Sequence, residues 1–208
     1  AVKLGLKSIS LPDGMSIISA CMFLNCSSLE YIKIPDSVRE IEDRAFENCS
    51  SLQSILLPDN IEFIGSGCFS GCASLTSVVL PSSITEIDEH VFEDCTSLES
   101  IIIPPTTMSI GYKAFCGCKS LKSISFPEDM AEIGSFAFEG CISLYSIKIP
   151  SNIKVGTGVF NHCNKKLQID SDFLTCKEGG FVTTNDNILI SYLGNDTNII
   201  IPNSVTQI

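Results

Sequence analysis

The sequence predicts a right-handed solenoid with a parallel β-sheet on one face and short second strands and single helical turns on the opposite side. Two regularities carry this. Pro12, Pro35, Pro58, Pro81, Pro104, Pro127 and Pro150 are each 23 residues apart, and Phe23, Phe46, Phe69, Phe92, Phe115 and Phe138 keep step with them. Between the prolines runs one recurring circuit, which reads LEYIKIPDSVREIEDRAFENC from Leu29 to Cys49. A fixed period of this length marks stacked structural repeats, none of which can bury its apolar face alone.

Each part of the circuit has its own warrant. Leu29, Ile32 and Ile34 point inward with Tyr31 and Lys33 outward, a β-branched alternation that marks a short strand. Pro35 ends it, because proline cannot donate to a continuing ladder. Val38 and Ile41, like Ile61 and Ile64 or Ile84 and Ile87, turn inward again and suit a second extended segment. Glu42 to Cys49 is then expected to form one helical turn with Ala45 and Phe46 inward. Asn25, Asn48, Gly71, Asp94, Gly117 and Gly140, two residues after each Phe, tolerate the left-handed geometry that would close it. Ser28, Ser51, Ser74, Ser97, Ser120 and Ser143 precede each Leu and lead into the next strand. Each coil would bury about eight side chains, a Phe or Leu contributing roughly 1.5 to 3 kcal/mol, and the crossover should be right-handed.

The regular array spans residues 1–163. Phe160 arrives one residue early and Leu167 restores the sum, after which residues 164–198 form an irregular piece. Within it, Phe181 to Thr184 and Ile188 to Leu193 flank Asn185, Asp186 and Asn187, a hairpin pattern with a polar turn. Ile199, Ile201, Pro202, Val205 and Ile208 re-enter the repeat, so residues 199–208 begin a further coil. Pro150 and Pro202 are 52 residues apart, two periods plus six, so the array is expected to continue with the hairpin projecting or pairing at one edge. Both ends fall inside repeats, as in a piece of a longer polypeptide, and uncapped end coils would permit end-to-end self-association.

Composition narrows the function classes. Among 208 residues, 44% are hydrophobic and 18% charged, with a net charge of -11 and a pI near 4.5. That balance argues against nucleic acid or an anionic membrane as partner, since both attract basic surfaces. Apolar runs of a few residues fall far short of the roughly 20 needed to cross a bilayer, so no membrane insertion is expected.

The 11 cysteines would ordinarily suggest a secreted disulfide framework. Cys26, Cys49, Cys72, Cys95, Cys118 and Cys141 instead recur every 23 residues, and Cys163 follows Phe160 by the same three residues that separate each of the others from its Phe. One equivalent site per coil suits a small buried side chain lining an interior column. Coil spacing alone would permit a bridge, but the odd ladder count and odd total argue against systematic pairing. Cys21, Cys68, Cys116 and Cys176 lie outside the ladder. Cys116 and Cys118 form a C-x-C, but zinc would need further ligands nearby, and His90 and His162 fall in other coils. No metal site and no cofactor are expected.

The hydrolase, metalloprotease, P-loop and dinucleotide motifs are absent, so no catalytic residue is assigned. Glu42 with Asp43, and Asp88 with Glu89, resemble acid–base pairs; their shared repeat position favours a solvated turn at a helix start. His90 and His162 are expected to be solvated turn residues. Asn25, Asn48 and Asn195 begin N-x-Ser/Thr sequons, which the repeat or chance accounts for unless the source is a secreting eukaryote.

The phrase L-x-S-I-x-I-P-x-S-V-x-x-I-x-x-x-A-F-x-x-C-x-S resembles the leucine-rich repeats of BspA-like proteins, surface proteins of bacteria and of some protozoan parasites. The resemblance covers residues 1–163 closely and 199–208 partly, and it implies a leucine-rich-repeat solenoid. For function it implies a non-enzymatic, cell-surface or secreted array used in adhesion and protein binding through its concave strand face. This sequence departs from the commonest form by lacking a Gly after several coil isoleucines, at Glu42 and Asp88.

The outward strand positions carry the functional signal. Lys7, Lys33, Lys122 and Lys148 oppose only Glu30 and Glu99 there, leaving nine of the 13 basic and 22 of the 24 acidic residues elsewhere. One column runs Ser10, Lys33, Leu56, Val79, Ile102, Ser125, Lys148, apolar at its centre with lysines flanking, as in a binding patch. The competing account is ordinary β-propensity with three exposed apolar side chains. Tyr31 and Tyr145 share the face and would serve as anchors. The candidate binding residues are therefore Tyr31, Lys33, Leu56, Val79, Ile102, Tyr145 and Lys148, and the partner a protein ligand. The column Ser8, Ser54, Ser77, Ser100, Ser123 and Ser146 is expected to be a small-residue packing ladder. Rival functions are a purely structural spacer presenting another domain, and a carbohydrate-binding array, for which clustered aromatics or facing carboxylates are missing.

Overall fold

The structure is a computed structural model describing residues 5–151, 153–177, 180–185, 188–194, 205 and 207. In chain order its strands are β1 (Ser8–Ser10), β2 (Ile17–Ile18), β3 (Tyr31–Lys33), β4 (Glu40–Ile41), β5 (Ser54–Ile55), β6 (Phe63–Ile64), β7 (Ser77–Val79), β8 (Glu86–Ile87) and β9 (Ser100–Ile102). They continue as β10 (Ser109–Ile110), β11 (Ser123–Ile124), β12 (Glu132–Ile133), β13 (Ser146–Lys148), β14 (Lys154–Val155), β15 (Gln168–Asp170), β16 (Leu174–Lys177), β17 (Phe181–Thr184) and β18 (Leu189–Tyr192). The odd strands β1 to β15 form the front of a solenoid of about seven turns, pairing in parallel as β1-β3, β5-β7-β9 and β11-β13-β15. The even strands β2 to β14 form its back as β2-β4-β6 and β8-β10-β12-β14. Register follows the repeat: Ser8 faces Tyr31 and Ser77 faces Ser100.

The segment expected to be a helical turn is not helical, and no described residue lies in a helix. Its backbone makes tight turns, with Met22 N–H donating to Ser19 O at 3.1 Å and Cys26 N–H to Phe23 O at 3.0 Å. Between them, alternate N–H groups point along the solenoid axis into the next coil. Cys21, Phe23 and Asn25 donate to the carbonyls of Asp43, Ala45 and Glu47 at 2.8 to 3.0 Å. Two left-handed residues per coil, four apart, produce this alternation: Cys21 and Asn25, Arg44 and Asn48, Gly67 and Gly71, His90 and Asp94, Lys113 and Gly117, Phe136 and Gly140, Gly158 and His162. A non-glycine residue held there costs about 1 to 2 kcal/mol, offset by backbone groups that would otherwise be buried unpaired. The later member was anticipated; the earlier, occupied by residues as different as Arg44 and Phe136, was not.

This stacking also accounts for the glycines that do follow coil isoleucines at Gly65 and Gly111. At Gly65 a Cβ would lie 2.6 Å from the backbone nitrogen of Asp43 in the coil beneath, and at Gly111 one would lie 2.6 Å from that of Glu89.

The interior agrees with the expected inventory. Leu29, Ile32, Ile34, Val38, Ile41, Ala45, Phe46 and Cys49 are all buried. The repeat phenylalanines form one continuous stack from Phe23 to Phe160, with centroids 5.3 to 6.2 Å apart and ring planes within 14°. The widest step, 6.2 Å, separates Phe138 from Phe160, where the coil is one residue short. Thr107 takes the place of Val38 in its coil and remains satisfied, its hydroxyl donating to Ile84 O at 3.0 Å.

All 11 cysteines are present as thiols. In the ladder, Cys49, Cys72, Cys95, Cys118, Cys141 and Cys163 each donate to the carbonyl of the preceding coil's Phe at 3.0 to 3.3 Å. Burial pushes the thiols of Cys49 and Cys163 up to about 12, and it raises those of Cys72, Cys95, Cys118 and Cys141 as well.

After β15 the chain adds a three-stranded antiparallel sheet, β16-β17-β18, one strand more than the anticipated hairpin. Strand β18 also serves as the array's next layer. Ile190 and Tyr192 accept from Gly158 and His162 of the coil below at 2.7 and 3.1 Å. The Asn161 side chain accepts from both Ser191 Oγ and Tyr192 N–H at 3.0 Å. On its other side, Ile188 bridges Gln207 in parallel. The turn residues Asp186 and Asn187, the sequon Asn195, and Ile199, Ile201, Pro202 and Ile208 lie outside the described residues.

Two outcomes follow from this core. Phe92→Ala should lower the free energy of unfolding by about 3 to 5 kcal/mol in a urea titration; a loss below about 1 kcal/mol would mean that the Phe stack does not hold the coils. The raised thiols give a pH dependence as well. The folded chain keeps thiol protons that the unfolded chain loses, so this stability is present below the ordinary cysteine value of 9.0 and is lost as pH rises toward about 12. Cys72→Ala should flatten that alkaline slope, whereas an unchanged slope would contradict the buried-thiol account.

Candidate interaction surface

Front strands of two or three residues leave little choice of orientation. The middle residue (Ile32, Val78 or Ile101) faces the core and its neighbours face out. Because register repeats coil by coil, outward residues line up in columns along the solenoid axis. Leu56, Val79 and Ile102 stand 80%, 68% and 74% exposed on three successive coils, and Tyr31 and Tyr145 are 54% and 55% exposed. Lys33 and Lys148 are exposed in the apolar column, on either side of its centre. The structure thus gathers all seven candidate residues on one face. Asp170, paired in register with Lys148, and Gln168 extend that face to an eighth strand. The register shift at Phe160 hid both from the repeat pattern.

The serine column corrects an expectation. Ser54, Ser77, Ser100 and Ser123 are exposed and Ser146 is half-buried, so these side chains line the surface beside the apolar row instead of packing inside. Shallow depressions follow the same face. One of about 300 Å³ lies against Ser100, Ile102, Ser123 and Phe126. Another of about 470 Å³ lies against Ser125, Ser146, Lys148, Gln168 and Asp170.

Charge on the front is partly internal. Lys7 pairs with Glu30 at 3.1 Å and Lys122 with Glu99 at 2.7 Å, both across neighbouring coils. Lys148 reaches Glu128 at 3.8 Å. Lys33 makes no ion pair among the described residues.

The other faces show hydrogen-bonding chemistry of a structural kind. Glu42 accepts from Ala20 N–H at 2.8 Å and Asp43 from Ser66 N–H at 3.0 Å. These carboxylates cap backbone in adjacent coils, which replaces the helix-start account. His90 is half-buried, its Nδ1 2.8 Å from Glu93 Oε2 and its ring edge-on to Tyr112. His162 is exposed, with Nδ1 3.1 Å from the Gly194 carbonyl. Both are therefore engaged with the protein and not merely solvated. In the C-x-C, Cys118 is buried while half-buried Cys116 lies 3.9 Å from Glu139. Burial, then Glu139 and Glu93, push the Cys116 thiol up to about 12.

A family model described as a BspA type leucine rich repeat region matches the chain in 6 copies, over residues 2–109 and 86–208. No match was found among curated proteins. Among solved structures, the chain is similar to a leucine-rich repeat protein from Bacteroides ovatus at 27% identity and a TM-score of 0.53, over 79% of this chain and 55% of that one. It is similar to a leucine-rich repeat protein from Eubacterium ventriosum at 21% identity and a TM-score of 0.72, over 83% of this chain and 46% of that one. Similarity to the pneumococcal vaccine antigen PcpA is 21% in identity with a TM-score of 0.53, over 80% and 51% of the two chains. The last two likenesses concern the fold alone, and the chain spans about half the length of all three.

Because Leu56, Val79 and Ile102 make little contact with the core, replacing all three by Thr should change the unfolding free energy by no more than about 1 kcal/mol in a denaturant titration. A larger loss would place these side chains in the fold and not on its working surface.

Proposed function

The chain belongs to the BspA-type leucine-rich repeat family, and from that premise we propose that it is a protein-binding segment of a cell-surface or secreted adhesin, engaging its ligand through the front strand face. Solenoids of this family are typically interaction scaffolds and not enzymes. The observation that carries the proposal is the exposed row Leu56, Val79 and Ile102, contiguous over three coils on a molecule of net charge -11. Water is excluded most favourably where an apolar centre has a polar rim, and Lys33, Lys148 and the serine column supply that rim. Tyr31 and Tyr145 add two large amphipathic side chains of the kind that dominates interface energetics.

The test is capture on the immobilised chain. Host-cell and matrix extracts should yield at least one protein, identified by mass spectrometry, whose recovery falls about tenfold or more on the Leu56→Thr, Val79→Thr, Ile102→Thr variant. Equal recovery on both surfaces would overturn the front-face proposal and favour a spacer array.

A further inference from the structure

On the front face, the lysines with no close acidic partner are the two that bracket the apolar row. Lys7 and Lys122, in the neighbouring column, are tied to Glu30 and Glu99 at 3.1 and 2.7 Å. Lys33 has no ion pair among the described residues, and Lys148 reaches only Glu128, at 3.8 Å and with side chains 69% and 87% exposed. An exposed pair at that distance contributes little. The column therefore offers an ammonium group, three apolar side chains, a serine and a second ammonium group, with Asp170 beyond it on the eighth strand and outside ion-pair distance of Lys148.

A second observation lies alongside. The hydroxyls of Ser54, Ser77, Ser100, Ser123 and Ser146 form an outward column next to this row, and none bonds to another protein group among the described residues. A hydroxyl rotates to donate or accept. A regular line of hydroxyls beside an apolar row suits a polypeptide backbone, which presents an N–H and a C=O at nearly every residue and cannot leave them unpaired when covered.

Resting on the front-face reading, we infer that the occupant is an extended polypeptide segment, apolar in its middle and carrying a carboxylate toward each end, laid along the solenoid axis across the strands. Lys33 and Lys148 are five coils apart, about 24 Å at the strand spacing of roughly 4.8 Å. That is the reach of about seven or eight extended residues. The segment's apolar side chains cover Leu56, Val79 and Ile102, its carboxylates meet Lys33 and Lys148, and its backbone lies over the serines. The net charge of -11 opposes an acidic partner at long range. At physiological ionic strength that repulsion is screened beyond about 8 Å, which leaves the local ammonium groups to decide.

The test uses the whole chain as bait for a display library of random linear nine-residue peptides. Enriched sequences should have apolar centres with Asp or Glu toward both ends. Their binding to the Lys33→Glu, Lys148→Glu variant should weaken about tenfold or more and should fail on the Leu56→Thr, Val79→Thr, Ile102→Thr variant. Apolar peptides without acidic ends, lost on the threonine variant but unaffected by the charge reversals, would overturn this inference and leave the front-face reading intact. Peptides indifferent to both variants, or no enrichment, would overturn the peptide occupant and leave the front-face reading to the capture experiment. Concentration-dependent dimerisation of the chain that the threonine variant abolishes would assign the row to a second copy and so overturn the peptide occupant.

Discussion

One constraint governs this molecule: a coil completes itself only through its neighbours. Its front and back strands are two or three residues long and pair with nothing inside their own coil. On the third side, alternate N–H groups aim at the next coil's carbonyls, and each repeat Phe from Phe46 to Phe138 lies between two others. From Cys49 onward the ladder thiols extend the same logic, each closing on a carbonyl one coil below. Burial and backbone satisfaction therefore act along one axis, and the energetics are those of a one-dimensional stack of repeats.

This division frees the outside. Once inward positions are held almost entirely to Leu, Ile, Val, Phe, Ala and Cys, coils differ mainly at residues facing water, and those residues line up because the register is constant. Turn-side variation settles into local pairing, as with His90 and Glu93 or Glu42 capping Ala20. Front-face variation does so only in part, at Lys7 with Glu30 and Lys122 with Glu99. There the differences accumulate into an apolar row, a hydroxyl column and two ammonium groups spread over several coils. No single repeat contains the candidate site, which exists only in the assembled array.

Periodicity made the coil, its eight inward residues and the exposed row legible in the sequence, because each is a position that recurs every 23 residues. It failed where geometry is set by stacking and not by residue type. The first left-handed position accepts Cys21, Arg44, His90, Lys113 and Phe136, so no preference at that site announces it, and residue types alone point to a helical turn. Interruption hid more. The short coil at Phe160 obscured Gln168 and Asp170, and β16 lies in the irregular piece, where no repeat position marks it. The serines mislead for another reason: small side chains suit a packed ladder and an exposed column equally, and only the pairing register decides between them.

The neighbour-dependence of the coils is tested most directly by removing one whole period. Deleting residues 59–81 joins Pro58 to Ser82 and keeps every column in register. The stacked-coil account predicts a β-rich chain that still unfolds cooperatively, with a lowered midpoint, and that is shorter by about one strand spacing of 4.8 Å in solution scattering. Deleting residues 59–69 breaks register and should abolish cooperative unfolding. A period-deleted chain that fails to fold, or an 11-residue deletion tolerated equally well, would contradict it.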